Sequence, residues 1–167
     1  MNQKAATNSN SAQHVFIDKQ HPQAWRAMNG LGLKVREAAE EAGIGRVLID
    51  LLYIRISQLN GCAFCLDLHV GEALEHGETQ QRIAVLPAWR DANLFSEQER
   101  GALSLAESVT QLPDSQTRDR EEAFASERLS DQEFSAVAWL AVTMNAFNRV
   151  SIVSHHPVRG DNGNQAG

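Results

Sequence analysis

A chain of 167 residues favours one domain with one hydrophobic core. Its 43% hydrophobic and 22% charged residues are ordinary for a globular protein. The formal net charge of −6, without a dense block of Lys and Arg, argues against nucleic acid and against an anionic membrane surface as partners.

The two ends of the chain differ in composition from its middle. Residues 1–13 are polar and lack the apolar stretch of a signal peptide, and no run reaches ~18 consecutive apolar residues. We therefore predict a cytoplasmic protein with no membrane span. We predict a disordered tail at 1–13, a single helical domain at 14–157 and a second disordered tail at 158–167.

Apolar residues in the middle of the chain recur at three- and four-residue spacing, which predicts an all-α fold of six or seven helices. Pro22 suits a first helical turn, whereas Gly30 and Gly32 weaken the first helix and can split it. Capping boxes open two helices, at Ser96 and Ser130. The predicted helices lie at about 22–42, 46–59, 61–76, 79–90 with a kink near Pro87, 96–112, 116–128 and 130–154.

The two cysteines and one histidine fall on one face of the third helix. At ~100° per residue, the offsets of 0, 3 and 7 place Cys62, Cys65 and His69 within about 60° of one another. With Asn60 or Gly61 as the cap, both thiols lie in the first turn, where free N–H groups and the helix dipole stabilise a thiolate. His69 can accept or return a proton near neutral pH.

Other chemistry is open to the same residues. A zinc site would need more ligands, and on paper His69 with His76, His155 or His156 could complete one. Two small buried thiols could also be inert core residues. Thiols are kept reduced in the cytoplasm, and a three-residue link closes too short a loop to stabilise a fold, so we favour redox chemistry without a metal or cofactor.

Asp50 is a carboxylate within an apolar run. In one interpretation it faces solvent and pairs with Arg46 one turn earlier. In the other, its helix packs against the cysteine helix and brings the carboxylate to His69 or the thiols. Asn145, Asn148 and Arg149 lie late in an apolar helix, where buried polar groups need partners, so they support the site or a subunit contact.

Several motifs carry a resemblance to a known family. The longest is RISQLNGCAFCLDLH at 55–69, followed by GETQQR at 77–82, AWR at 88–90, FSEQER at 95–100 and NAFNR at 145–149. Over roughly residues 16–157 the chain resembles the AhpD-like alkylhydroperoxidases of the carboxymuconolactone decarboxylase superfamily.

The resemblance implies an AhpD-like helical fold that forms homo-oligomers, often trimers or hexamers. It implies that Cys65 attacks a peroxide, that Cys62 resolves the product into a disulfide and that His69 belongs to a proton relay. A dithiol protein, lipoyl or thioredoxin-like, would then restore the thiols. Asp50 stands where the family usually has Glu, and Phe64 stands where well-studied members have His between the cysteines.

Other functions use the same residues. A dithiol–disulfide oxidoreductase or redox sensor would need the same cysteine pair without peroxide turnover. A non-redox decarboxylase and a structural or metal-binding oligomer are further alternatives. Only the resemblance favours the peroxidase over the oxidoreductase.

Overall fold

The computed structural model describes residues 14–158, and all regular structure in that range is helical. The predicted tails at 1–13 and 158–167 lie outside these residues, except for Val158. The helices are α1 (Ile17–Gln20), α2 (Pro22–Glu41), α3 (Arg46–Asn60), α4 (Ala63–Glu75), α5 (Gln80–Val85), α6 (Glu97–Gln111), α7 (Ser115–Ser126) and α8 (Asp131–Val153).

The all-α fold class is confirmed, and seven of the eight helices match predicted segments. The additional helix is α1, a single turn too short for a periodic apolar pattern. The segment predicted at 79–90 is shorter as a helix, because α5 gives way to a 3-10 turn over Leu86–Ala88 that includes Pro87. Both predicted capping boxes are present, at Ser96 with Glu99 and at Ser130 with Glu133.

Helix α2 runs unbroken through Gly30 and Gly32, so the predicted split does not occur. Gly32 faces α8, and a Cβ at this position would lie only 3.0 Å from the ring of Phe147. The missing side chain lets α2 and α8 approach closely. Packing between the two helices therefore outweighs the low helix propensity of glycine.

Helix α3 is the most buried element, with α4, α6 and α8 packed around it. Its apolar side chains from Leu48 to Ile56 form the centre of the hydrophobic core. This burial explains the nearly continuous apolar run, because a helix enclosed on all sides has no polar face. It also fixes the end of α3, where the cysteine turn begins.

Helix α8 is apolar and long enough to cross a membrane by length and composition alone. It packs against α2, α3 and α6, as the core helix of a globular protein does. One stripe stays uncovered, however, with Trp139 52% and Val142 50% exposed. Such a stripe suits a subunit contact. The homo-oligomer stays a prediction, which the particle mass in solution tests.

The buried carboxylate of Glu107 links α3 to Trp89 and Arg90, which follow the 3-10 turn. Glu107 of α6 accepts hydrogen bonds from Arg55 Nε at 2.7 Å, from Trp89 Nε1 at 2.8 Å and from Arg90 Nη2 at 3.1 Å. Charge-assisted hydrogen bonds of this kind are about twice as strong as neutral ones. They tie the last turns of α3, just before the cysteines, to α6.

Candidate active site

The turn between α3 and α4 positions both cysteines. Gly61 adopts a left-handed conformation, with φ of 69°, which ends α3 and suits glycine. The backbone N–H of Cys62 donates to the carbonyl of Ser57 at 3.0 Å, as in a Schellman-type helix end. The chain therefore reverses within two residues and starts α4 directly.

Side-chain amides fix this turn to α8. Asn60 Nδ2 donates to Asn145 Oδ1 at 2.8 Å and to Asn148 Oδ1 at 2.9 Å. Asn148 is fully buried, and its Nδ2 donates to Ser57 Oγ at 3.1 Å. Arg149 Nη1 donates in turn to Asn145 Oδ1 at 3.0 Å. The late polar residues of α8 thus support the cysteine turn within this subunit.

The N-cap of α4 is Cys62 itself, so the predicted caps Asn60 and Gly61 are wrong by one or two residues. The Cys62 sulfur accepts a hydrogen bond from the backbone N–H of Cys65 at 3.3 Å. The Cα atoms of the pair are 5.3 Å apart and the two sulfurs lie within disulfide-bonding distance. The prediction that both thiols lie at the helix start is confirmed.

A cavity of about 380 Å³ opens beside Cys65, between α2, α3, α4 and α8. Cys65 and His69 both line its wall, whereas Cys62 is not among the lining residues. Cys62 and Cys65 are only 2% and 3% exposed. Cys65 and His69 therefore border the same cavity.

His69 is held by a carboxylate from its own helix. Its Nδ1 lies 2.9 Å from Glu72 Oε2, one turn further along α4, and its ring lies 5.0 Å from that of Tyr53. Burial lowers the pKa of His69 below its ordinary 6.5, and Glu72 partly opposes this shift. A neutral imidazole whose Nδ1–H donates to Glu72 leaves Nε2 free to accept a proton.

Asp50 is completely buried, so the solvent-facing interpretation is wrong. Its Oδ1 lies 3.3 Å from Arg46 Nε, which agrees with the predicted pair. Its Oδ2 lies 2.6 Å from Nδ1 of His76, the residue that caps the C-terminal end of the cysteine helix α4. Helices α3 and α4 pack together as predicted, but the hydrogen-bond partner is His76, and the carboxylate that contacts His69 is Glu72.

The histidines considered as zinc ligands have separate surroundings. His69 contacts Glu72, His76 contacts Asp50, and His156 Nε2 lies 3.3 Å from Asp18 Oδ1. Within residues 14–158 no three His, Cys, Asp or Glu side chains are arranged to hold a metal ion.

Comparison with known proteins assigns this site to a family. The model of the carboxymuconolactone decarboxylase family matches residues 22–108, more than half of the chain. This chain belongs to the carboxymuconolactone decarboxylase family. The matched range contains α2 to α5 and most of α6, and therefore the whole of the cysteine turn.

Two bacterial proteins are similar in sequence to this family member. The chain is 33% identical to the uncharacterised protein YdfG of Bacillus subtilis (strain 168) over 72% of its own length and 82% of that protein. It is 33% identical to the uncharacterised protein YnjA of Escherichia coli (strain K12), over 40% of its own length and 37% of that protein.

A solved structure matches the fold. It is a protein of unknown function from Agrobacterium tumefaciens, ATU0492, described as a candidate antioxidant defence protein AhpD. The match has a TM-score of 0.75 and 26% identity and covers 87% of this chain and 97% of the other. The predicted membership of the AhpD-like superfamily is thereby confirmed.

Three residues of the site were not identified from the sequence. Glu72 stands three residues after His69, a spacing that brings side chains together on a helix and could have indicated the pair. Tyr53 and Arg36 reach the cavity from α3 and α2. No local pattern marks them, because their positions depend on how those helices pack against α4.

Replacing Asp50 with Asn should destabilise this family member. The change leaves Arg46 and His76 without their anion, which costs ~3–5 kcal/mol for a fully buried pair. Arg46 and His76 keep 32% and 35% of their side chains exposed, so we expect a smaller loss, about 2 kcal/mol. Urea unfolding measures it. The exposed Asp67→Asn on α4 is the control, and equal stability of the two variants would contradict the ion-pair assignment.

Proposed function

We propose that this protein is a thiol-dependent peroxidase that reduces organic hydroperoxides or hydrogen peroxide. One observation carries the proposal: Cys65 and His69 line the same cavity at the start of α4, with Cys62 within disulfide-bonding distance of Cys65. The family assignment supports it, as does the likeness to a protein described as a candidate antioxidant defence protein.

The first step consumes the peroxide. His69 Nε2 accepts the proton of the Cys65 thiol, and the thiolate attacks the terminal oxygen of R–O–O–H. The S–O bond forms as the O–O bond breaks, so sulfur is oxidised and the peroxide reduced. The leaving alkoxide takes the proton from His69 and departs as an alcohol, and Cys65 is left as a sulfenic acid.

The second step closes the disulfide. The Cys62 sulfur attacks the sulfur of the Cys65 sulfenic acid, and the hydroxyl leaves as water with the proton of the Cys62 thiol. The N–H of Cys65 and the start of α4 stabilise negative charge on Cys62. Cys62 is therefore already prepared as the resolving nucleophile.

The third step restores the thiols. A dithiol protein of the lipoyl or thioredoxin class reduces the Cys62–Cys65 disulfide and is itself oxidised to a disulfide. We propose a cytoplasmic location, because such reductants are kept in the dithiol form there. Asp50 keeps a proposed role through charge rather than contact, since its carboxylate raises the pKa of His69 against the effect of burial.

A dithiol–disulfide oxidoreductase is the second candidate. The hydrogen bond to the Cys62 sulfur favours it, because this bond stabilises a thiolate on the cysteine outside the cavity. Such an enzyme would exchange disulfides through Cys62 and would have no need of the cavity. Peroxide consumption decides between the two functions.

The cysteines should have different roles in peroxide reduction. We expect Cys65→Ser to abolish the consumption of cumene hydroperoxide, because it removes the only cysteine that lines the cavity within the described residues. Cys62→Ser should allow one stoichiometric event that stops at a sulfenic acid on Cys65, visible as a 16 Da gain or a dimedone adduct by mass spectrometry. Sustained turnover by Cys65→Ser would refute this assignment.

Glu72 should act on the reaction through His69. We expect the pKa of His69 to lie below 6.5 in the wild type, and Glu72→Gln to lower it further because Glu72 opposes the effect of burial. The peroxide rate at pH 7 should fall by roughly tenfold, since the imidazolium loses its stabilising carboxylate. NMR titration of the disulfide form gives the pKa, and a peroxide assay gives the rate.

The matched control for this change is Glu75→Gln, an exposed carboxylate on the same helix. It should leave both the pKa of His69 and the rate unchanged. An equal pKa in Glu72→Gln and the wild type would show that Glu72 does not act through His69.

A further inference from the structure

The cavity beside Cys65 is larger and more apolar than hydrogen peroxide requires. Its volume of about 380 Å³ lies within the ~300–1,000 Å³ typical of sites for small organic ligands. Its apolar wall consists of Trp25, Leu33, Phe64, Leu68, Met144 and Phe147. Burial of apolar groups against such a wall is favourable, so the wall favours an alkyl or aryl substituent on the peroxide.

One positively charged side chain, that of Arg36, lines this cavity. Arg36 of α2 is the only Lys or Arg among the described lining residues. Within residues 14–158, no carboxylate lies within 4.0 Å of its guanidinium nitrogens, whereas Arg46 has both Asp50 and Glu72 within that distance. The guanidinium is therefore available to an anion that enters the cavity.

A neutral donor lies close to this charge. Tyr53 lines the cavity and is 7% exposed. Burial raises the pKa of Tyr53 to about 12, and the nearby Arg36 guanidinium opposes the rise. The phenol thus keeps its proton at neutral pH and can donate it in a hydrogen bond. The lining carboxylate, Glu72, is already engaged by His69.

We infer that the cavity selects organic hydroperoxides that carry a carboxylate on an apolar alkyl or aryl group. Arg36 binds the carboxylate, with Tyr53 as a second donor, while the apolar wall holds the hydrocarbon and Cys65 meets the peroxide. Guanidinium and carboxylate form bidentate charge-assisted hydrogen bonds, which suits Arg at this position. The inference rests on the proposed peroxidase function and specifies its substrate class.

A matched pair of substrates tests the inference. Cumene hydroperoxide with a para carboxylate on the ring is compared with its methyl ester, with dithiothreitol as the reductant. We expect kcat/KM to be roughly tenfold higher for the acid, and this preference to be lost in Arg36→Gln, as one charge-assisted hydrogen bond implies. Arg36→Lys should keep part of it, because the charge remains while the planar fork is lost.

Arg26→Gln is the control, because Arg26 lies on the same helix, is exposed and does not line the cavity. It should leave the ratio of acid to ester unchanged. Equal kcat/KM for acid and ester in the wild type, or an unchanged preference in Arg36→Gln, would overturn the inference.

A binding measurement separates this inference from the proposed function. The alcohol products, 4-(2-hydroxypropan-2-yl)benzoate and its methyl ester, contain no peroxide and are titrated into the reduced protein by calorimetry. If the wild type binds the acid more tightly than the ester and Arg36→Gln does not, carboxylate recognition is supported. This holds even if neither hydroperoxide is consumed, and in that case only the peroxidase function fails. Equal binding of acid and ester overturns the recognition.

Discussion

The hydrogen bonds of the Asn60 side chain hold the cysteine turn in place. Asn60 bridges to Asn145 and Asn148 of α8, while Asn148 reaches back to Ser57 of α3. A buried amide left without partners costs about 1–3 kcal/mol, so this network specifies one arrangement of the turn. The left-handed Gly61 then directs the chain into α4, and Cys62 becomes its cap. This turn therefore brings the sulfurs of Cys62 and Cys65 within disulfide-bonding distance.

The charged residues near His69 form two groups, one at the cavity and one behind it. Near the cavity, burial lowers the pKa of His69, and Glu72 holds its Nδ1. Behind it, Asp50 forms ion pairs with Arg46 and His76 and does not contact His69. Arg46 lies within 4.0 Å of both Asp50 and Glu72 and links these two carboxylates through its charge.

The sequence predicted those features that depend on residues close together along one helix. The capping boxes at Ser96 and Ser130 and the shared face of Cys65 and His69 follow from helical spacing, and the structure contains them. The partner of Asp50 and the cavity position of Arg36 depend on tertiary packing, which spacing along one helix does not encode. Likewise Gly32, read as a helix breaker, is explained only by the ring of Phe147 on another helix.

We propose that the folded site makes Cys65 more reactive toward peroxide than an ordinary thiol. The most direct measurement is the second-order rate of disulfide formation when reduced wild-type protein meets cumene hydroperoxide at pH 7, compared per thiol with free dithiothreitol. Preorganised acid–base help is worth ~10²–10⁴ in rate, so the protein should react at least about 100-fold faster. A rate no higher than that of the free dithiol would contradict the account.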